Sequence, residues 1–539
     1  MHFNMKKTLV SILGVAASLA SMAQNPYLPL WEYIPDGEPY VFEDPDHPGK
    51  YRLYVYGSHD DLVTEYCGRD QVVWSAPVDN LTDWRYDGVI FTSERGSDGS
   101  LLDARQGRGD VLYAPDVATV RQADGSVRYY FYPNNQSGGR QSMVCVSDRP
   151  DGPFKVCNWN GNNPRRTDGV LGFDPAVFVD DDGRVYGYWG FEESNGAELD
   201  PENMASVKPG TEIVRNMVSD YKHDGVFRFF EASSMRKIED KYVFIYSRYT
   251  EDGEFGLPRS NNTLAYAYSD NPLGPFTYGG TLVDARARGF IDGKPAAMVT
   301  PYGNTHGSIV EIDGQWWVFY HRQTGTDQFS RQAMVAPITV SVEKGKGGKV
   351  VISEAEVTSE GFQINGLNPL ERISAGWACL LTNPGGVQEQ YPNFIFTGSY
   401  VQPTRIAGSL EKAPTDITEP LCPVVNNTPG SAVGFKYLDF NKLRGKKVRL
   451  EVRVKPMGKS GWMFVDMGTS DRGIAKNTCQ MTGIYIDGDM PQEICVLSSE
   501  PFRVSRKFRG KQPVTFMFYS NGGGSESLCD FYDFQFVKE

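Results

Sequence analysis

The sequence predicts an all-β protein, a five-bladed β-propeller followed by a β-sandwich. Three observations carry that prediction. An aromatic strand recurs five times, as Arg52-Leu-Tyr-Val-Tyr-Gly-Ser58, Arg128-Tyr-Tyr-Phe-Tyr-Pro-Asn134, Arg184-Val-Tyr-Gly-Tyr-Trp-Gly190, Lys241-Tyr-Val-Phe-Ile-Tyr-Ser247 and Gln315-Trp-Trp-Val-Phe-Tyr-His321. Successive copies start about 55 to 75 residues apart, the scale of one four-stranded blade with variable loops. A turn signature also repeats: Ser147-Asp-Arg-Pro-Asp-Gly-Pro-Phe154 and Ser269-Asp-Asn-Pro-Leu-Gly-Pro-Phe276 are near copies, and Trp74-Ser-Ala-Pro-Val-Asp-Asn-Leu81 is a looser third. Finally, no segment carries a long helical periodicity.

The chain begins with the pattern of a secretory signal over residues 1–23. Lys6 and Lys7 form a charged start, Leu9 to Leu19 an apolar stretch, and Ser21-Met22-Ala23 a small-residue cleavage site before Gln24. Export to the periplasm or the extracellular space is expected. No later segment approaches the ~20 apolar residues of a membrane span.

The propeller is expected over residues 25–350, its strands punctuated by turns such as Asp124-Gly125, Asp181-Asp182-Gly183 and Asp313-Gly314. A connecting segment, 351–387, follows a Gly/Lys-rich turn at Lys344 to Lys349. From residue 388 to 539 the blade signatures stop. Strand-like runs continue at Phe394-Ile-Phe396, Val433 to Phe440, Val448 to Val454, Gly461 to Asp466 and Val514 to Tyr519, which reads as a β-sandwich. Trp462 and Tyr519 are expected in its core.

At 539 residues the chain is long enough for two domains, and its net charge of -13 argues against a nucleic-acid partner, which requires a basic face. The eight cysteines form no C-x-x-C pair, so no zinc or thioredoxin-like motif is supported. Disulfides and buried free thiols both remain open readings.

One polar residue per blade stands just upstream of the aromatic strand: Asp36 (with Glu38 close by), Asp116, Asp174, Glu231 and His306. Repetition around an axis would gather carboxylates and a histidine into one pocket. Hydrolysis of a glycosidic bond with inversion needs such a set. One protonated carboxylic acid protonates the leaving oxygen, while one ionised carboxylate activates water on the opposite face, and a further carboxylate nearby raises the acid's pKa. Asp174 and Glu231 lie among phenylalanines, where an unpaired carboxylate is costly. Asp182 reads as a turn residue, and Asp116 reads equally as a pocket residue or a strand cap.

These residues resemble glycoside hydrolase family 43, of the β-xylosidase and α-L-arabinofuranosidase type. Phe173-Asp-Pro-Ala-Val-Phe-Val-Asp-Asp-Asp-Gly183 is similar to the family segment carrying the aspartate that tunes the acid. Phe230-Glu-Ala-Ser-Ser-Met-Arg-Lys-Ile238 is similar to the segment carrying the acid, and Ile34-Pro-Asp-Gly-Glu-Pro-Tyr-Val-Phe42 to that carrying the base. The resemblance implies Asp36 as base, Asp174 as tuning residue and Glu231 as acid. Keeping Pro39 and Val41-Phe42 in register selects Asp36; aligning on carboxylate-then-proline would select Glu38 instead. Xylo- or arabino-oligosaccharide is the implied substrate, cleaved at its end, with an endo-acting enzyme and a non-catalytic sugar-binding propeller as alternatives. Arg322, Asn304, Trp74 and Trp189 are expected to bind substrate. No cofactor is required, although the resemblance places His306 near the pocket floor, against a hydrated calcium or another ion; a hydrogen-bonded structural histidine is the other reading. The C-terminal region resembles a family 6-type carbohydrate-binding module through Gly434 to Phe440 and Cys529 to Phe536, and a purely buttressing role stands beside that reading.

Overall fold

The computed structural model describes residues 24–539 except 62, 64, 94–109, 219–224, 292, 300–302, 326–327, 383–397, 404–421, 469–479 and 523. The signal-like segment, Cys479 and the run Phe394 to Phe396 lie outside the described residues. Among the described residues the regular structure is β, with two 3-10 turns at Glu254–Gly256 and Ala375–Trp377.

Five antiparallel sheets follow one another along the chain, as the repeat predicts. Blade 1 comprises Glu38–Glu43, Tyr51–Tyr56, Asp70–Pro77 and Arg85–Thr92, and blade 2 comprises Asp116–Arg121, Val127–Tyr132, Cys145–Ser147 and Lys155–Val156. Blade 3 is Ala176–Val179, Val185–Trp189, Asn195–Leu199 and Val214–Arg215; blade 4 is Phe229–Ile238, Lys241–Arg248, Thr263–Ser269 and Thr277–Asp284. Blade 5 has three strands, Ile309–Ile312, Gln315–Gln323 and Arg331–Ile338. Beside its third strand runs the N-terminal stretch, where Tyr27 N donates to Ala333 O and Asn25 exchanges side-chain hydrogen bonds with the Val335 backbone.

The recurring aromatic run is the second strand of every blade. Lys241–Arg248 and Val185–Trp189 are buried along their whole length because neighbouring blades cover both faces, so an uninterrupted apolar sequence is favoured there. The repeated turn joins the third and fourth strands of blades 2 and 4. Its closing phenylalanine packs inward in each case, Phe154 at 5.0 Å from Phe131 and Phe276 at 5.8 Å from Phe244.

Bonds between innermost strands close the ring. Tyr40 OH donates to Asp116 (blade 1 to 2), Val177 N to Asp116 (3 to 2), and Ala232 N to Asp174 (4 to 3). Arg236 Nε donates to Ile309 O (4 to 5), and a bridge between Gly37 and Gly307 joins blade 5 to blade 1.

Beyond the propeller, a seven-stranded and a five-stranded sheet pack face to face. The central strand Lys447–Pro456 alternates cleanly, with Val448, Leu450, Val452 and Val454 turned into a core that also holds Phe435, Phe516, Phe534 and Phe536. Two strands of these sheets, Ile373–Ser374 and Leu380–Thr382, come from the segment expected to be a connector. Trp462 and Tyr519 are not core residues. They are 39% and 45% exposed, because in both strands they fall on the alternation's outward phase. The hydrophobic core runs without a break from blades 1 and 5 into the sandwich, with Phe362 against Trp317 and Tyr27. Among the described residues Cys67, Cys145, Cys157, Cys379, Cys495 and Cys529 are free thiols.

Candidate active site

The inner ends of the blades enclose a cavity of about 300 Å3 whose lining includes Asp36, Asp174, Glu231, Asn304, His306 and Arg331. The backbone delivers the three carboxylates by unusual local geometry. Asp36 and Asp174, each just before an innermost strand, have φ of 61° and 46°, the left-handed region that non-glycine residues seldom adopt. Glu231 lies inside the strand Phe229–Ile238 rather than before it. The ladder slips on both sides of Glu231, and Ala232 takes φ 67°, a bulge that re-aims the side chain.

All three are buried, and their surroundings separate them. Asp36 accepts hydrogen bonds from Ser58 Oγ at 2.5 Å and Arg331 Nη1 at 3.1 Å. Burial alone would push its pKa up. Arg331 and the Ser58 bond outweigh that and hold it below the ordinary aspartate value. Glu231 accepts one bond, from Asn304 Nδ2 at 2.8 Å; burial, reinforced by the charge of Asp36, pushes its pKa up to about 7. Asp174 is pushed well up by burial and then by Glu231 and Asp36. Both of its oxygens nonetheless accept N–H bonds, from Asn134 Nδ2 at 2.8 Å and Ala232 N at 3.0 Å, which favour the ionised form. Asp174 and Glu231 thus compete for one proton, and the two donors on Asp174 against one on Glu231 direct it to Glu231.

Arg331 is held by Asp60, whose carboxylate accepts from its Nε and Nη2, each at 2.9 Å. His321 receives the Asp36 N–H on Nδ1 at 3.2 Å and faces Asn304 O with Nε2 at 2.8 Å. Its proton therefore sits on Nε2, and burial lowers its pKa to about 3, so the ring is neutral. Phe173, Phe191 and Phe230 form the aromatic side of the pocket mouth, ring to ring at 5.5 and 5.1 Å, with Phe191 52% exposed.

Of the eight residues singled out by sequence, Asp36, Asp174, Glu231, Asn304 and His306 meet in this pocket. Three do not. Arg322 directs its guanidinium away, to the carbonyls of Gly376 and Ala378 and to Gln332, and ties blade 5 to the sandwich. Trp74 is buried against Trp31 and Tyr86 and donates to Glu32, and Trp189 is packed in the core between blades 2 and 3. Trp189 ends an aromatic second strand and Trp74 sits on the third strand of blade 1, and both are packed in the core rather than at the pocket. Glu38, the alternative to Asp36, does not line the pocket; Arg236 Nη2 holds it at 2.6 Å on the axis side. Asp116 bridges three blades through Tyr40 and Val177, and Asp182 closes its turn on Arg184.

Sequence reasoning missed Arg331, Asp60 and Asn134, whose roles depend on contacts across the ring that no local pattern records. For calcium the donor set is poor. His306 Nε2 and Glu38 Oε1 face each other at 3.9 Å without hydrogen-bond partners, yet Arg236 neutralises that carboxylate, and no group of three or more His, Cys, Asp or Glu among the described residues could hold a metal. Calcium prefers six to eight oxygens, a set these residues do not supply.

A propeller with carboxylates of opposed ionisation at one axial pocket defines the class of glycoside hydrolases that work by carboxylate acid and base. Within that class the chain belongs to glycosyl hydrolases family 43, whose family model matches residues 48–343. It is 35% identical over 449 residues to a protein of Thermoclostridium stercorarium named Xylosidase/arabinosidase, covering 79% of this chain and 85% of that one. It is 30% identical over 369 residues to Xylosidase/arabinosidase 43A of Humicola insolens, covering 59% of this chain and 98% of the relative. It is also 28% identical over 386 residues to an Arabinoxylan arabinofuranohydrolase of Bacillus subtilis (strain 168), covering 65% and 71%.

Proposed function

We propose that the chain is an exported, inverting hydrolase that releases terminal xylose or arabinofuranose from plant hemicellulose. The observation that carries the reading is the opposed ionisation of Asp36 and Glu231 in one cavity. Asp36, ionised and fixed by Arg331 and Ser58, takes a proton from water as the water oxygen bonds to the anomeric carbon. The bond from that carbon to the leaving oxygen breaks, and Glu231 gives its proton to that oxygen. Asp174 keeps the proton on Glu231 by like-charge repulsion and anchors the bulge through Ala232 N. Asn304 holds Glu231 and so fixes the direction of proton delivery.

The names of the relatives support pentose substrates of the xylan and arabinoxylan type. The aromatic mouth of Phe173, Phe191 and Phe230 supports a sugar ring stacking next to the acid, where a leaving group would sit.

The deciding experiment is hydrolysis of nitrophenyl β-xyloside and α-L-arabinofuranoside by wild type, Glu231→Gln and Asp36→Asn, with NMR of the first anomer released. Activity on either sugar that drops at least a hundredfold in both variants, with an inverted first product, supports the reading. Retained activity in Glu231→Gln on a substrate with a poor leaving group, or a retained anomer, would sink it. N-terminal sequencing of the protein recovered outside the cell tests export, with Gln24 the expected first residue.

A further inference from the structure

The two carboxyls that compete for one proton each meet the side-chain amide of an asparagine, Asp174 that of Asn134 and Glu231 that of Asn304. An amide has a donating end and an accepting end, and turning it over replaces a donor by an oxygen. Which end faces a carboxyl therefore decides whether the ionised or the protonated form is favoured. For each asparagine that choice is made on the far side of its amide. Asn304 Oδ1 accepts from Arg331 Nη1 and from His321 Nε2, each at 3.2 Å, which leaves Nδ2 for Glu231. A guanidinium can only donate, so this amide has one orientation.

On Asn134 the corresponding donor is Gln136, whose Nε2 donates to Asn134 Oδ1. Gln136 is itself an amide that could turn over. The carbonyl oxygen of Gly172, 3.5 Å from the same Nε2, fixes it. A main-chain carbonyl can only accept, so Gln136 presents its nitrogen and Asn134 its oxygen, and the Asn134 NH2 group is left pointing at Asp174 Oδ1 at 2.8 Å. Gly172 stands two residues before Asp174, so the carbonyl that sets this order belongs to the segment that carries the carboxylate. The backbone around Gln136 is held without its side chain. Asn135 Nδ2 and Arg140 Nε donate to Asp110 at 2.8 and 2.7 Å, and Tyr113 N donates to Asn134 O at 3.3 Å. Asn134 is buried and Gln136 only partly so, which lets the outer amide be changed while the inner one stays.

We propose that Gln136 is a positioning residue for the acid step: by pinning the Asn134 amide it keeps a donor on Asp174 and so keeps the shared proton on Glu231. The inference rests on the hydrolase reading above, in which Glu231 delivers that proton to the leaving oxygen. Without a donor at position 136 the Asn134 amide is released to turn, and its oxygen then faces Asp174. Protonated Asp174 donates to that oxygen while ionised Asp174 is repelled by it, so the proton passes to Asp174. Glu231 is left ionised and cannot protonate a leaving group. The other charged and titratable groups around the pair are Asp36 and Tyr66 from blade 1 and His306 and Arg331 from blade 5, with His306 Nδ1 3.6 Å from Asp174 Oδ2. A change at position 136 leaves all four in place, and Asp36 keeps its bonds from Ser58 and Arg331.

The test compares wild type, Gln136→Met, Gln136→Glu and Glu231→Gln on the phenyl and the dinitrophenyl glycoside of the sugar that wild type cleaves. Phenoxide is a poor leaving group that needs the acid, whereas dinitrophenoxide departs without it. Both Gln136 variants should lose about tenfold or more in kcat on the phenyl glycoside. The glutamate variant should lose more, because its carboxylate draws the Asn134 NH2 group to itself. On the dinitrophenyl glycoside both should stay within about twofold of wild type, with KM little changed. The proton is located without turnover by infrared difference spectra, variant minus wild type, with the aspartate carboxyls 13C-labelled, at a pH below the value of about 7 where Glu231 ionises. An aspartic acid C=O band should appear and a glutamic acid band should vanish. If Gln136→Met melts early, the near-isosteric Gln136→Glu carries the test. Wild-type rates on both glycosides, equal losses on both, or no new aspartic acid band in a folded variant would each overturn the proposal. Glu231→Gln separates the two readings. If it is impaired on the phenyl glycoside and the Gln136 variants are not, this inference alone falls; if it cleaves the phenyl glycoside as wild type does, the hydrolase reading falls as well.

Discussion

Arg331 Nη1 donates to Asp36 Oδ1 at 3.1 Å while the rest of its guanidinium is locked on Asp60. A buried cation fixed from behind cannot follow solvent or substrate, so its field on Asp36 is permanent. That field, with the Ser58 bond, opposes the upward push of burial and keeps the carboxylate ionised.

The pH profile of kcat/KM follows from this. Asp36 must be ionised, so the acid limb should lie below the usual aspartate value of 3.8. Glu231 must be protonated, so the alkaline limb should fall near 7. Replacing Arg331 by Gln removes the lowering charge, and the acid limb should move up toward neutrality. A profile of the variant that is lower in height but unmoved would assign Arg331 a purely structural role. The same change strands Asp60 in the interior, at a cost of about 3 to 5 kcal/mol in stability.

Glu231→Gln should stabilise the protein in a pH-dependent way. The folded carboxyl titrates at about 7, above its ordinary value of 4.5, because burial disfavours its charged form. Its contribution to stability is fully present below 4.5 and is lost as pH rises through 7. Glutamine escapes that loss and can still accept from Asn304. The difference in melting temperature, variant minus wild type, should therefore grow from pH 4.5 to 7 and level off above it. A difference independent of pH would show that Glu231 is not raised.

Asp174→Asn should lower the alkaline limb as well as the rate. Glu231 raises Asp174 by charge repulsion, and that repulsion is mutual. Without it Glu231 loses its proton at lower pH, so activity at pH 7 should fall by more than activity at pH 5. A uniform fall at both would leave Asp174 with no part in tuning the acid.

Phe191→Ala tests the pocket mouth. Phe191 is half-exposed and bridges Phe173 and Phe230, so its removal should leave the fold intact. An aromatic contact is worth about 0.5 to 1.5 kcal/mol, which predicts a roughly two- to tenfold rise in KM for oligosaccharides. Glycosyl fluorides, which lack a sugar leaving group, should be turned over as before. Equal effects on both substrates would move the stacked ring to the other side of the scissile bond.

Much of this protein was legible in its sequence because repetition is a long-range signal written in local patterns. Five aromatic strands and a copied turn predict five blades, since only a strand covered on both faces needs an unbroken aromatic run. Asp174 and Glu231 stood out because carboxylates among phenylalanines are costly without a purpose. Tertiary structure decided what depends on facing across the ring or along a sheet. Asp36 and Glu38 are two residues apart, yet one reaches the pocket and the other Arg236, a choice made by a left-handed backbone step at Asp36. Arg322 and Arg331 look alike in the chain, but one binds the sandwich and the other the candidate base, 295 residues away. Trp74 and Trp462 are both strand tryptophans, and only strand phase and the neighbouring surface make one core and the other exposed. Periodicity specifies which residues share a face; what lies opposite that face is set by closure of the ring and by docking of the sandwich.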